Sequence, residues 1–443
     1  MAPPASRTTT QDVRERRVTR AVLTGFLAKA ANFLPTLAIA SVVVPILGAE
    51  RFGVLMTILS LMAFLVMADL GVGGGLVTEI SRALGRGDLE RVRCVQANGF
   101  VVVSGMSLVL LALACTAYIG DVGSFLVPKS EAAIQDEAAL GLATFGVLFA
   151  LAMPLTLIGK IQLGLQRGDI ANSWQVAAAI VNFGAGAMAA LAGLSIPWII
   201  AGLMSGTLLC GLANIGLFYR RAPTMRPSRH DVSRTQMRAL LSDSLFYLAL
   251  QIVSVLTYAA DTLIVARNLG AEQASTYALA ERLFSSVAVA VAVITAPLWA
   301  AYGEALGARD WAWARRALRV NTLRLAAIAL VLAGGIALLA EPLVQLLSSG
   351  HLVVPLALAV AMGCWRVVEA VGASLSVYMF ASRAVRFVLV VGGLTAVVSL
   401  AAKVLAVNRV GFVALPWITT GTYLLLVLLP TLYHLRRSQR ATP

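Results

Sequence analysis

Seven ionisable residues, Lys29, Asp69, Asp261, Glu281, Arg282, Arg366 and Glu369, lie inside long apolar runs at roughly 21–46, 53–78, 241–266, 274–300 and 352–381. A charge held at the centre of a bilayer costs roughly 2.5–3.5 kcal/mol on insertion scales, so such groups face a bundle interior or a wet cavity. In the first run Gly25, Lys29, Asn32 and Thr36 recur at i, i+4, i+7 and i+11, a single helix face. The seventh run repeats the pattern with Gln251, Ser254, Tyr258 and Asp261. The chemistry open to these faces is binding. Lys29, Arg282 and Arg366 can pair with an anion, and Asn32, Gln251, Ser254 and Tyr258 can hydrogen-bond hydroxyl groups. Asp69, Asp261 and Glu369 are candidates for ion coupling or gating.

Some of these charges have a simpler reading. Arg366 and Glu369, at i and i+3, can equally form an intrahelical pair buried at a packing interface. Asp261 lies near the end of its run and can equally snorkel to water. Lys29 and Arg282 have no acid three or four residues away, which favours binding, although Glu281 adjoins Arg282 on a different face.

The chain offers little for catalysis. Its three histidines, His230, His351 and His434, sit in or beside separate loops, and its four cysteines show no CxxC spacing, so neither a metal site nor a disulfide framework is expected. The run Gly71-Val72-Gly73-Gly74-Gly75 lacks the third glycine of a dinucleotide loop and follows an apolar run; close packing or a joint is the better reading. No phosphate-binding loop is present, so direct ATP hydrolysis is not the expected energy source.

The elements that must position these residues follow from composition. Hydrophobic residues make up 59% of the chain and charged ones 13%, with a mean hydropathy of +0.85. Soluble domains are roughly 45–50% apolar and about 25% charged. Twelve apolar runs are long enough to cross a bilayer as helices: 21–46, 53–78, 95–119, 138–160, 172–193, 195–219, 241–266, 274–300, 321–346, 352–381, 384–406 and 411–434. The first exceeds the apolar core of a cleaved signal peptide and is expected to stay. Pro35, Pro45, Pro154, Pro297, Pro355 and Pro416 are expected to kink helices.

The net charge of +14 is topological, because basic residues occupy short loops without the interleaved aromatics of a nucleic-acid surface. Loops on one side hold 27 of the 35 Lys and Arg, and the other side holds Arg51, Lys129, Arg267, Lys403 and Arg409 at or near its loops. The positive-inside rule makes the first side, with both termini, cytoplasmic. Leu47-Gly48-Ala49-Glu50 recurs as Leu269-Gly270-Ala271-Glu272, and Ala83-Leu84-Gly85-Arg86-Gly87-Asp88 as Ala305-Leu306-Gly307-Ala308-Arg309-Asp310, both at an offset of 222. The expected architecture is an all-α polytopic membrane protein of about twelve spans in two parallel six-helix repeats, a V-shaped or pseudo-twofold bundle. Its parts are a tail (1–20), an N-lobe (21–219), a basic linker (220–240) tethered to anionic headgroups, a C-lobe (241–434) and a second tail (435–443).

Leu47-Gly48-Ala49-Glu50-Arg51-Phe52-Gly53, Asp69-Leu70-Gly71 and Ile80-Ser81-Arg82, with Asp261, Leu269-Gly270-Ala271, Tyr277 and Arg282 in the second half, resemble the polysaccharide-biosynthesis flippases. These belong to the multidrug/oligosaccharidyl-lipid/polysaccharide exporter (MOP) superfamily. The resemblance implies a polyprenyl-diphosphate-linked oligosaccharide, flipped across the cytoplasmic membrane for surface polysaccharide or lipopolysaccharide synthesis, through a cavity lined by spans 1, 2, 7 and 8. It implies no cofactor, coupling to protons, sodium or membrane potential, and a polymerase and glycosyltransferases as pathway partners. Two alternatives compete: a cation-coupled multidrug exporter, which would want acidic rather than basic cavity residues, and a membrane glycosyltransferase or ligase, which would want a long catalytic outer loop. A structural scaffold would need no intramembrane charges.

Overall fold

A computed structural model describes residues 14–31, 71–119, 132–269, 271–347 and 354–441, with single positions between 46 and 59. All regular structure among them is helical. The helices are α1 (14–31), α2 (Val72–Gly85), α3 (Leu89–Ile119), α4 (Ala132–Gly164), α5 (Gly168–Leu191), α6 (Ile196–Arg221), α7 (Arg234–Leu269), α8 (Ala271–Gly307), α9 (Trp311–Leu347), α10 (Leu356–Ala381) and α11 (Val385–Val410). The last, α12, runs from Ala414–Tyr423 through a π-turn at Leu424–Leu428 into Leu429–Ala441.

Nine helices among the described residues are long and apolar enough to cross a membrane. Their outward faces agree with lipid contact: Leu323, Leu330, Val331 and Leu338 of α9 and Val390, Val397 and Leu405 of α11 are all exposed. Unshielded apolar surface on this scale suits hydrocarbon, where a helix needs no partner for its backbone. The protein is a multi-pass membrane protein. Several helices outrun their apolar runs; α9 begins ten residues before 321 and α7 seven before 241. A backbone hydrogen-bonded to itself continues through the headgroup layer without penalty.

The chain divides into two compact units, Met1–Leu245 and Phe246–Pro443. In the first, Val72, Leu76 and Ile80 of α2 pack with Val92 and Val103 of α3 and Leu157 and Ile161 of α4. In the second, Tyr277, Phe284 and Val291 of α8 pack with Leu325 and Ala329 of α9 and Leu358 and Met362 of α10. The repeated sequences Ala83–Asp88 and Ala305–Asp310 fold into the same turn, one of several of its kind in the chain. Asp88 N–H donates to Ala83 O at 3.0 Å and Asp310 N–H to Ala305 O at 2.8 Å. The residue before each aspartate is left-handed, Gly87 at φ 72° and Arg309 at φ 59°. Each aspartate then caps the next helix, Asp88 Oδ1 accepting from Arg91 N–H at 2.8 Å and Asp310 Oδ1 from Trp313 N–H at 3.2 Å.

Pro154 and Pro297 lie inside α4 and α8, with a further Pro342 inside α9, whereas Pro355 caps α10 and Pro416 falls in the first turn of α12. Pro35 and Pro45 lie outside the described residues. Gly71 caps α2 at φ 75°, so the glycine run enters a helix directly.

The segment 220–240 is docked as well as basic. Its two short 3-10 turns, Pro223–Met225 and Arg229–Asp231, lie on α3, and its two ends belong to α6 and α7. Asn98 clamps it, donating to Asp231 O at 3.2 Å and accepting from Ser233 N–H at 3.0 Å. Arg93 donates to Thr224 O at 3.3 Å.

Candidate functional site

The second unit gathers most of its intramembrane charge in one place. Asp261 of α7 is buried; its Oδ1 accepts from Lys403 Nζ of α11 at 2.6 Å and its Oδ2 from Tyr277 Oη of α8 at 2.8 Å. The snorkelling reading of Asp261 is therefore overturned. One helical turn on from Tyr277, Glu281 pairs with Arg366 of α10, whose other amino group holds Glu369 at 2.7 Å. Arg366 is 4% exposed, so both of its amino groups are spent on carboxylates. The intrahelical pair is present, but a third residue completes it.

The two groups together contain three carboxylates and two cations. Buried charges survive only when paired and hydrogen-bonded; here Lys403 and both amino groups of Arg366 are engaged, Arg366 Nε finds no hydrogen-bond partner among the described residues, and the acids outnumber the cations by one. The network is walled by aromatic packing. Tyr423, placed just before the π-turn of α12, stacks edge-on against Trp365 at 5.3 Å between ring centroids. A β-carbon on Gly372 would collide with the Tyr423 hydroxyl, so only glycine lets α10 and α12 approach this closely there.

Lys403 is the residue that sequence reasoning missed. Its position three residues from the end of the apolar run at 406 puts it at or near an outer loop by sequence, yet α11 continues to Val410 and buries it at 1% exposure. The signal was present as the stripe Thr395, Ser399, Lys403 at spacings of four, all buried.

The other expected residues are more dispersed. Lys29 is exposed on α1 and Arg282 is exposed on α8, and neither has an ion-pair partner among the described residues. Gln251 is partly buried on α7, with an Oε1 that has no hydrogen-bond partner among the described residues. Ser254 and Tyr258 fall on the same helix, but their side chains lie outside the described residues, as do Asn32 and Asp69 entirely. Among the described residues no three His, Cys, Asp or Glu side chains gather as a metal would require.

Long apolar helices around a buried, paired charge network define a polytopic helical membrane fold. The chain superposes on an outward-facing multidrug resistance MATE family transporter of the MOP superfamily with a TM-score of 0.78 at 15% identity, covering 96% of each chain. A MATE transporter from Vibrio cholerae gives 0.78 at 14% identity over 98% of each chain. A MOP superfamily transporter from Pyrococcus furiosus, described as having a binding pocket of reverse polarity that suggests a different function, gives 0.73 at 12% identity over 96% of each. Within that class the family is definite: the model for polysaccharide biosynthesis proteins matches residues 20–299, and the chain belongs to that family. Compared by sequence with curated proteins, it matches none.

Proposed function

We propose that this protein flips a polyprenyl-diphosphate-linked oligosaccharide from the cytoplasmic to the outer leaflet of the inner membrane, for surface polysaccharide or lipopolysaccharide assembly. The observation that carries this reading is membership of the polysaccharide biosynthesis family on a transporter fold. Lys29 and Arg282, exposed and without ion-pair partners among the described residues, are suited to attract a diphosphate or an acidic sugar. Both termini are cytoplasmic in this reading, and the pathway's polymerase and glycosyltransferases are its working partners.

Coupling resides in the surplus carboxylate. A proton or sodium ion taken up beside Glu281, the most exposed acid of the network, neutralises it and frees Arg366 to change partners. Outward movement of one negative charge also gains about 2.3 kcal/mol per 100 mV of inside-negative potential.

Purified protein in liposomes tests the reading. A lipid-linked glycan added to the inner leaflet is expected to become lectin-accessible outside, faster under an imposed gradient of protons or sodium. Efflux of a cationic dye with no glycan movement would instead establish a multidrug exporter, the second reading, which the likeness to a multidrug resistance MATE transporter favours.

A further inference from the structure

In the first unit, α4, α5 and α6 line an open groove whose mainly apolar wall carries a row of polar side chains. Its two chambers, of about 490 and 520 Å³, share Trp174 and Asn214. Arg167, at the head of α5, and Arg221, at the end of α6, line one chamber; Asn182 and Thr207 line the other. Fifteen residues separate Arg167 from Asn182, so the groove runs roughly 22 Å along the helix, from the headgroup layer past mid-membrane.

The lining is unusual for a surface within hydrocarbon. Gln162 donates to Asn214 Oδ1 at 2.6 Å and accepts from Asn214 Nδ2 at 3.3 Å, while Asn182 donates to Thr207 Oγ1 at 3.0 Å. Each amide can donate twice and accept twice, so these pairs leave capacity unused. Gln175 and the Trp174 indole N–H have no partner among the described residues. The groove does not serve to hold α1 either. Asn172 meets α1 at Ala21 O and Thr24 Oγ1, and Trp174 points about 200° away around α5.

An indole beside a row of amides suits a sugar, whose apolar face stacks on the ring while its hydroxyls bond to the amides. Arg167 and Arg221 have no ion-pair partner among the described residues and can grip phosphate oxygens in bidentate fashion, close to the N-terminus of the 24-residue α5. Asp169 lines the same chamber and leaves that end at a net charge of +1.

We infer that this groove is a subsite for the headgroup of a glycosyl-diphosphate lipid, with the sugar on Trp174 and the amides and the diphosphate at Arg167 and Arg221. The inference rests on the flippase reading and adds where the cargo is first held. Full-length protein in nanodiscs tests it by equilibrium binding of farnesyl-diphosphate-linked N-acetylglucosamine, with farnesyl diphosphate and phosphatidylglycerol as parallel probes. Trp174→Leu is expected to weaken the glycosylated probe about tenfold and leave farnesyl diphosphate unchanged. Arg167→Gln combined with Arg221→Gln is expected to weaken both by about the same factor. Gln175→Leu, at an exposed position, is expected to lower affinity for the glycosylated probe alone and decides the matter if the Trp174 variant misfolds. Unchanged binding in these variants overturns the groove, as does phosphatidylglycerol competing equally with the glycosylated probe. A wild-type protein that neither binds nor flips the glycosylated probe would overturn the flippase reading itself.

Discussion

Asp261 and Lys403 hold each other out of contact with lipid, and each is costly without the other. Breaking a buried ion pair from one side strands the remaining charge and costs about 3–5 kcal/mol, whereas removing both partners is close to neutral. Lys403→Met and Asp261→Leu are each expected to lower the thermal unfolding midpoint sharply in detergent, and the double variant to recover most of the loss. Additive losses in the double variant would show that the pair contributes nothing. The acid was legible in the sequence because it interrupts a long apolar run, and its partner was not. Lys403 sits three residues from the end of its run, and only the continuation of α11 to Val410 takes it out of reach of water. Arg366 shows the converse. Its pairing with Glu369 follows from spacing alone, but Glu281 reaches it from another helix, which no spacing rule encodes.

At the scale of elements, close contact depends on small residues and on clamps. α5 and α6 meet through Gly202 and Gly206, four residues apart; a β-carbon on Gly202 would come within 2.7 Å of Ala185 O. The 220–240 segment depends on Asp231 instead. Ser228 donates to its Oδ2 from the backbone at 2.7 Å and from the hydroxyl at 2.8 Å, and these bonds hold the carboxyl below the usual carboxylate range. A depressed pKa contributes stability that is complete above the unfolded value, about 3.9, and is lost as pH falls through the folded one. Hydrogen exchange of amides 224–233, corrected for intrinsic rate, is expected to hold steady from pH 8 to 5 and rise below about pH 4. Asp231→Asn should raise exchange at every pH and remove the acid transition. Helix existence was legible from apolar run length. Helix ends were less so, because self-satisfied backbone extends into the headgroup layer, and the docking of the linker depends on Asn98, 133 residues away from Asp231.

At the scale of the molecule, the functional reading makes a demand on both units at once. Lys29→Ala and Arg282→Ala are each expected to abolish surface polysaccharide while the protein inserts and accumulates normally; normal polysaccharide in both variants would remove these residues from the mechanism. Hydropathy, the charge bias of the loops and the offset repeat determined by themselves that this is a helical membrane protein of two related halves, since lipid permits only self-satisfied helices and tolerates charge only in compensated places. The family too was legible, in motifs at the ends of the second, seventh and eighth spans. What only the tertiary structure decided is which charges are spent and which surfaces are open. Pairing in a low-dielectric interior depends on contacts between helices over a hundred residues apart, as between Asp261 and Lys403, and cavities such as the Trp174 groove exist only once three helices have packed.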